Sequence, residues 1–93
     1  MNNYEAMFLF KPDLGKDGLD KTLGQVQEIL VKHKGSIDET KEWGKQKLAY
    51  PIKKCKEALY YLINFNIDPD EVSKLKRAFG LNESILRVLI VRA

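Results

Sequence analysis

Apolar side chains recur along this chain at two spacings, one typical of strands and one typical of helices. Positions 3–10 are mostly apolar or aromatic, and Pro12 follows them as a turn signal, so this run predicts a strand. Between positions 18 and 33 the apolar residues recur every three or four positions, and Gly35 follows as a stop signal. This spacing predicts an amphipathic helix long enough to lie along the strand. Its apolar stripe consists of Leu19, Leu23, Val26, Ile29, Leu30 and His33.

The middle of the chain predicts a β-hairpin whose first strand lies at a sheet edge. Residues 36–52 are long for one strand, and Gly44 among them indicates a bulge or bend. Pro51 has no backbone N–H to donate to a neighbouring strand, which favours an edge position. A lysine-rich turn then leads into residues 58–67, the most apolar run up to this point, which we expect to be a central strand.

A second helix and a last strand complete the pattern. Asp68 is a suitable helix cap, Pro69 a suitable first helical residue, and Glu71 a capping-box partner for Asp68. Residues 84–92 are rich in β-branched side chains and too few to form a competing helix, so they predict a strand. The inward stripe of the second helix consists of Val72, Leu75 and Phe79, and Gly80 is its stop.

The predicted order of elements is therefore strand, helix, strand, strand, helix, strand, or βαββαβ. Two β-α-β units with right-handed crossovers form an α+β ferredoxin-like sandwich. Its four-stranded antiparallel sheet has the strand order 4-1-3-2, and both helices cover one face. The second strand is then an edge strand, in agreement with Pro51, and residues 1–93 are expected to form a single domain.

Side-chain alternation predicts which residues lie on the helix-free face of the sheet. If Tyr4, Phe8 and Phe65 point toward the helices, their neighbours in sequence point the other way. A mixed apolar patch of this kind usually binds a partner, and a homodimer contact is the alternative interpretation. A register shift of one residue would exchange the two faces. The expected partner-protein face consists of Met7, Leu9, Tyr60, Leu62, Leu89 and Val91.

The charge of the chain is concentrated in its second half. The 93 residues carry a net charge of +3, with −2 in residues 1–44 and +5 in residues 45–93. Residues 45–56 contain five lysines and no acidic residue. Such a segment favours a polyanionic partner, and a solubilising edge and turn is the alternative interpretation.

Residue types that enzymes and metal sites need are scarce. The only cysteine is Cys55 and the only histidine is His33, so neither an internal disulfide nor a zinc ligand set is possible. We interpret His33 as a partly buried residue at a helix end and the acidic cluster around Asp70 as helix capping. No acid, base and nucleophile converge, which argues against an enzyme, and neither a metal nor another cofactor is implied.

Membrane and small-molecule functions are also disfavoured. No apolar run approaches about 18 residues and the first residues lack the pattern of a signal peptide, so we expect a soluble cytosolic protein. Residues 15–18 contain two glycines and a lysine before a helix but lack the spacing of phosphate-binding loops. A small-molecule substrate is therefore not predicted.

Three segments resemble the bacterial small-subunit ribosomal protein bS6 family over essentially the whole chain. Residues 47–52 read KLAYPI after Trp43-Gly44 and before a basic turn, which resembles the signature of that family. The opening strand with the KPDL turn at 11–14 and the final ILRVLIVR at 85–92 are also similar to it. Members of the family often carry arginines just after the first methionine, where this chain has Asn2 and Asn3.

The resemblance implies a structural, non-catalytic protein of the cytoplasmic small ribosomal subunit. Such a protein contacts the central domain of 16S rRNA and forms a heterodimer with ribosomal protein bS18. Tyr50 is expected either to stack on a base or sugar or to pack beside Pro51. The alternative function is a self-associating ferredoxin-like ligand-sensing module that uses its open sheet. The expected RNA contacts are Lys45, Lys47, Tyr50, Lys53, Lys54, Arg87 and Arg92.

Overall fold

The order of elements along the chain is the predicted one. The structure, a computed structural model, describes residues 2–93. The strands are β1 (Asn2–Phe10), β2 (Ser36–Ile52), β3 (Cys55–Ile67) and β4 (Ile85–Arg92), and the helices are α1 (Gly15–Lys32) and α2 (Val72–Gly80). A short 3-10 turn, Pro69–Glu71, leads into α2. Helix α1 begins three residues before the predicted start, because Gly15, at φ +71°, turns the chain directly into the helix.

The four strands form one antiparallel sheet in the order β2-β3-β1-β4. This is the predicted ferredoxin-like order read from the other edge, and it confirms β2 as an edge strand. Strand β1 pairs with β3 on one side and with β4 on the other, so β1 and β3 occupy the middle of the sheet, as predicted for β3.

The main core lies between the helices and one face of the sheet. Tyr4, Ala6, Phe8 and Phe10 of β1 are buried there, as the alternation predicts. The ring of Phe79 from α2 meets Phe8 edge-on, with a centroid distance of 5.0 Å. On α1 the most deeply buried line is Thr22, Val26 and Leu30, while Leu19, Leu23 and Ile29 are half-buried beside it. The buried Thr22 hydroxyl donates to the carbonyl of Gly18 at 2.9 Å, which satisfies it without a partner outside the helix.

The start of α2 corrects one prediction. Asp68 caps the segment as expected, because its carboxylate accepts from the backbone N–H of Asp70 at 3.0 Å. Glu71, however, is not a capping-box partner of Asp68. Its carboxylate lies 2.9 Å from Lys74 Nζ and 3.6 Å from His33 Nδ1. Glu71 instead contacts Lys74 on the next turn of α2 and His33 at the end of α1, and these contacts replace the backbone donor.

Edge strand β2 is irregular, as Gly44 and Pro51 indicated. Its pairing with β3 shifts at three places, one of them between Glu42 and Gly44, where Gly44 has φ +80°. A second shift lies between Lys47 and Ile52. Beyond it, Ile52 pairs with Cys55 across a two-residue turn. The irregular end of the β2–β3 hairpin, residues 47–57, is called the hairpin end below.

Candidate nucleic-acid and partner interface

The helix-free face of the sheet carries the residues that alternation predicted for it. Met7 pairs with Leu62 on β3 and with Leu89 on β4, so these three side chains lie side by side across the sheet. Met7, Tyr60 and Leu62 are half-buried. On β4, Leu89 keeps 48% and Val91 keeps 58% of its surface accessible to solvent. The central and β4 parts of this face therefore present apolar surface.

Leu9 does not belong to that surface. It is only 5% exposed, because it packs in a small second core with Ala58 and Leu86. Leu48 and Ile52 cover this cluster from the hairpin end. The register shift between Lys47 and Ile52 frees the intervening residues from the ladder and lets them fold over the sheet. The apolar run at the end of the otherwise mostly polar strand β2, which contains Leu48 and Ile52, was the available sequence signal for this second core.

The lysines predicted to contact RNA are distributed around the hairpin end. Lys45 and Lys47 pair with Leu59 and Glu57, positions whose alternation along β3 places them on the helix side of the sheet. Lys53 and Lys54 form the turn itself. All four lysines are exposed. They surround the end of the hairpin from several directions, so no single flat surface contains them.

The two predicted arginines lie at opposite ends of β4. Arg87 pairs with Leu9 and lies on the helix-free face next to the hairpin end. Arg92 pairs with Tyr4, five positions further along β1, which corresponds to about 17 Å. Because directly paired residues share a face and Tyr4 lies in the main core, Arg92 is on the helix side. The structure thus brings Arg87, but not Arg92, to the hairpin end.

Tyr50 and Arg87 line one pocket at the hairpin end. The pocket has a volume of about 230 Å³. It lies on the helix-free face, where Met7, Leu9 and Tyr60 of the sheet meet the folded-over segment. Tyr50 itself is 64% exposed. We name this cavity the Tyr50–Arg87 pocket.

The opposite end of the helix-free face is polar and acidic. Asn64 on β3 pairs with Glu5 of β1 on one side and Glu39 of β2 on the other. The amide of Asn66 donates to Asp38 at 2.7 Å. The side-chain oxygen of Asn64 is buried and accepts no hydrogen bond within residues 2–93. Basic and acidic groups are thus separated along the length of the sheet.

Trp43 is an exposed aromatic residue that belongs to the family signature but was not predicted to contact RNA. It lies at the shift in β2 next to Gly44, and its side chain is 51% exposed. Lys41 and Lys45 flank it along the strand. A tryptophan between lysines in an edge strand was the signal that could have identified it as a candidate contact.

The side chains with shifted pKa values are Glu71 and Lys74 in the helix layer and Tyr61 in the core. A hydrogen bond from Lys74 is the main cause that lowers the pKa of Glu71, and the same contact raises the pKa of Lys74. Burial is the main cause that raises the pKa of Tyr61, with the nearby Glu42 carboxylate adding to it. These shifts accompany structural contacts and do not mark a catalytic group on the helix-free face.

Neither a metal cluster nor a membrane helix is present in the part of the chain that the structure describes. Among residues 2–93, no three histidine, cysteine or acidic side chains are grouped in a way that could hold a metal ion. Within the same residues, no helix combines the length and apolar character that crossing a membrane requires.

Comparison with known proteins gives matches over the whole described chain. The family model for ribosomal protein S6 matches residues 3–92. The small ribosomal subunit protein bS6 of Caldanaerobacter subterraneus subsp. tengcongensis is 39% identical over 99% of this chain and 97% of the relative. The bS6 protein of Geotalea daltonii is 38% identical over 99% of this chain and 72% of its own length. The crystal structure of 30S ribosomal protein S6 from Thermotoga maritima superposes with a TM-score of 0.90 at 29% identity, covering 99% of this chain and 87% of that one.

Proposed function

This chain belongs to the ribosomal protein S6 family, and on that premise we propose that it binds the central domain of 16S rRNA together with ribosomal protein bS18. As a family member it is a structural, non-catalytic component of the small ribosomal subunit, and it acts in the cytoplasm, where ribosomes work. Family membership favours this function over the self-associating ligand-sensing module.

The observation that carries the RNA proposal is the excess of positive charge in residues 45–56, which overlap the hairpin end and precede its one acidic residue, Glu57. Residues 45–56 contain five lysines and no acid, and all four lysines predicted as contacts are exposed. Lysine and arginine contacts to phosphate usually provide most of the affinity for RNA, because they release condensed counterions. The proposed contacts remain Lys45, Lys47, Tyr50, Lys53, Lys54 and Arg87, with Arg92 as a separate contact on the helix side.

The partner proposal is supported by the apolar part of the helix-free face. Leu89 and Val91 are exposed there, beside the half-buried Met7, Tyr60 and Leu62. Apolar residues with a polar rim are typical of the centre of a protein interface. We propose that bS18 covers these five residues, while Leu9 supports them from the second core.

Titration of binding against salt tests the RNA proposal. Replacing Lys45, Lys47, Lys53 and Lys54 by alanine should weaken binding to a central-domain fragment of 16S rRNA. It should also reduce the slope of log affinity against log salt by up to about 0.9 per lost phosphate contact. The matched control replaces four exposed lysines of the helices, Lys16, Lys21, Lys32 and Lys76, and should leave affinity closer to that of the natural chain. Equal losses in the two variants would show that only net charge matters and would reject the hairpin end as the site.

The same titration with purified bS18 tests the partner proposal. If the two proteins build a joint site, bS18 should raise the affinity of this chain for the fragment, and Leu89→Asp should abolish that gain. Leu81→Asp is the matched control, because Leu81 is 80% exposed beside the helices. Concentration-dependent homodimers in sedimentation, without RNA affinity, would instead support self-association.

A further inference from the structure

The Tyr50–Arg87 pocket is a formed cavity whose lining is aromatic and apolar apart from one cation. Tyr50 and Tyr60 supply aromatic side chains, Leu9 and Leu48 supply apolar surface, and Arg87 supplies the charge. No acidic residue lines it. Within residues 2–93, Arg87 takes part in no salt bridge. The lining therefore suits a group with a flat apolar part and a negative charge.

The position of the pocket in the hairpin end favours a nucleic acid over a protein as the source of that group. The segment that forms its outer side, residues 48–52, is preceded by Lys47 and followed by Lys53 and Lys54. A polyanion held by these lysines would run past the opening of the pocket. Proteins that recognise single-stranded RNA place unpaired bases on aromatic rings or on arginine planes in this way.

We propose that the Tyr50–Arg87 pocket receives one unpaired base of the bound RNA, stacked on Tyr50, with an adjacent phosphate on Arg87. This inference rests on the proposed RNA-binding function and adds a stacking contact to the phosphate contacts of the lysines. Met7, Tyr60 and Leu89 border both this pocket and the surface proposed for bS18, so the base and bS18 would lie side by side there. Tyr60 and Leu9 close the inner side of the pocket, so a base can enter only from the solvent side, where Tyr50 is exposed. The hydrophobic and stacking parts of such a contact depend little on salt, whereas the phosphate contact of Arg87 does.

Substitutions at Tyr50 test the stacking contact with the full chain and the 16S central-domain fragment. Tyr50→Ser should weaken binding by roughly 5- to 100-fold while leaving the salt slope unchanged. Tyr50→Phe keeps the ring and should bind like the natural chain. Since Tyr50 is 64% exposed, neither change should unfold the protein. Leu81→Ser, at an exposed apolar residue outside the pocket, is the matched control and should have no effect.

Arg87 should behave differently from Tyr50. Arg87→Gln should weaken binding and lower the salt slope by about 0.7 to 0.9, as expected for one lost phosphate contact. Arg77→Gln removes an exposed arginine of α2 and serves as its control. If Tyr50→Ser binds as tightly as the natural chain while the four-lysine variant is weakened, the pocket inference is wrong and the RNA-binding function stands.

A direct probe separates this inference from the function on which it rests. Addition of single-stranded hexauridylate should shift the methyl NMR signals of Met7, Leu48 and Leu89 and leave that of Leu75, buried in the main core, unchanged. Such shifts with no binding of the 16S fragment would retain the pocket and overturn the ribosomal RNA target. If hexauridylate causes no shifts and purified bS18 does, the occupant is a protein side chain and the inference is overturned.

Discussion

Gly35 is the residue at which the turn after α1 comes closest to the sheet. A Cβ atom there would lie 3.1 Å from the carbonyl oxygen of Leu30, 3.2 Å from that of Asn66 and 3.2 Å from Ile67 Cδ1. Two of these atoms are backbone and cannot move aside without shifting the helix or the strand. Only glycine at this position allows the end of α1 and strand β3 to approach each other this closely.

We expect Gly35→Ala to destabilise the protein by about 1–3 kcal/mol, because the added methyl group must displace backbone atoms. Gly24→Ala is the matched control, since a Cβ at Gly24 meets nothing within 4 Å. That change within α1 should stabilise the protein by about 0.5–1 kcal/mol through helix propensity. Urea unfolding of both variants measures the two effects, and equal stabilities would contradict the close approach.

The hairpin turn contains two lysines in a conformation that favours other residues. Lys53 and Lys54 have φ +49° and +68°, and their neighbours Ile52 and Cys55 pair with each other. Positive φ at both central residues is the type I′ arrangement, for which Asn-Gly is the preferred pair. Residues with a Cβ atom are destabilised by about 1 kcal/mol or more in this conformation, whereas glycine is not.

We predict that Lys53→Asn with Lys54→Gly changes stability and RNA affinity in opposite directions. The variant should be about 1–2 kcal/mol more stable in urea unfolding, because the turn residues then match the turn. Its affinity for the 16S fragment should fall, since the two proposed phosphate contacts would be lost. Lys56→Gln, which removes a nearby charge but no turn residue, should leave stability unchanged. Unaltered RNA affinity in the double variant would show that the turn lysines do not contact phosphate.

At the scale of elements, the two helices are joined by a small ionic cluster. Glu71 at the start of α2 lies between Lys74 of the same helix and His33 at the end of α1. The hydrogen bond from Lys74 is the main cause that lowers the pKa of Glu71. A carboxyl whose pKa is lower in the folded chain stabilises the fold above its unfolded pKa, and this contribution is lost as the pH falls through the folded pKa.

Glu71→Gln should therefore destabilise the protein at neutral pH and have a smaller effect in acid. The difference between the two chains should shrink below about pH 4.3, the ordinary pKa of a glutamate, and vanish once Glu71 of the natural chain is protonated. Thermal unfolding followed from pH 7 to pH 2.5 measures it. Glu83→Gln, at an exposed glutamate without a salt bridge among residues 2–93, is the control. A difference that is constant with pH would exclude the ionic contact as its cause.

The sequence predicted the order of elements, the edge position of β2 and the two faces of the sheet. Those features follow from local spacing, because alternate residues of a strand must point to opposite sides. One local prediction was wrong, the capping-box role of Glu71, and the burial of Leu9 on the helix-free face was not predicted. Glu71 contacts Lys74, three positions away on α2, and His33, which only the packing of the two helices brings close to it. Leu9 was removed from the surface by Leu48 and Ile52, which depends on a register shift 40 residues away in the chain.

At the scale of the whole molecule, charge is divided along the helix-free face. Arg87 lies on this face next to the hairpin end with its turn lysines Lys53 and Lys54, whereas the other end of the face contains Glu5, Asp38 and Glu39. The exposed Leu89 lies between the two ends on β4, and the exposed Val91 lies directly beside Glu5. This arrangement is compatible with the proposed binding of an RNA at the basic end and of a protein at the neighbouring apolar residues of the same sheet. Sequence order alone gave the total charge of each half, but the arrangement needed the strand pairing.

The interrupted pairing at the hairpin end also bears on how the molecule opens. Between Lys47–Glu57 and Ile52–Cys55 the β2–β3 ladder has no continuous register, whereas β1 and β3 remain paired from Asn2–Ile67 to Phe10–Leu59. Local opening needs the least free energy where ladder hydrogen bonds are few and solvent-exposed. We therefore expect residues 48–51 to open at a lower free energy than the central strands, with loss of the contact that Leu48 makes with the second core. The outer side of the Tyr50–Arg87 pocket, residues 48–51, is thus less stable than the β1–β3 pair that forms its inner side. It should adjust to an occupant faster than the whole protein unfolds.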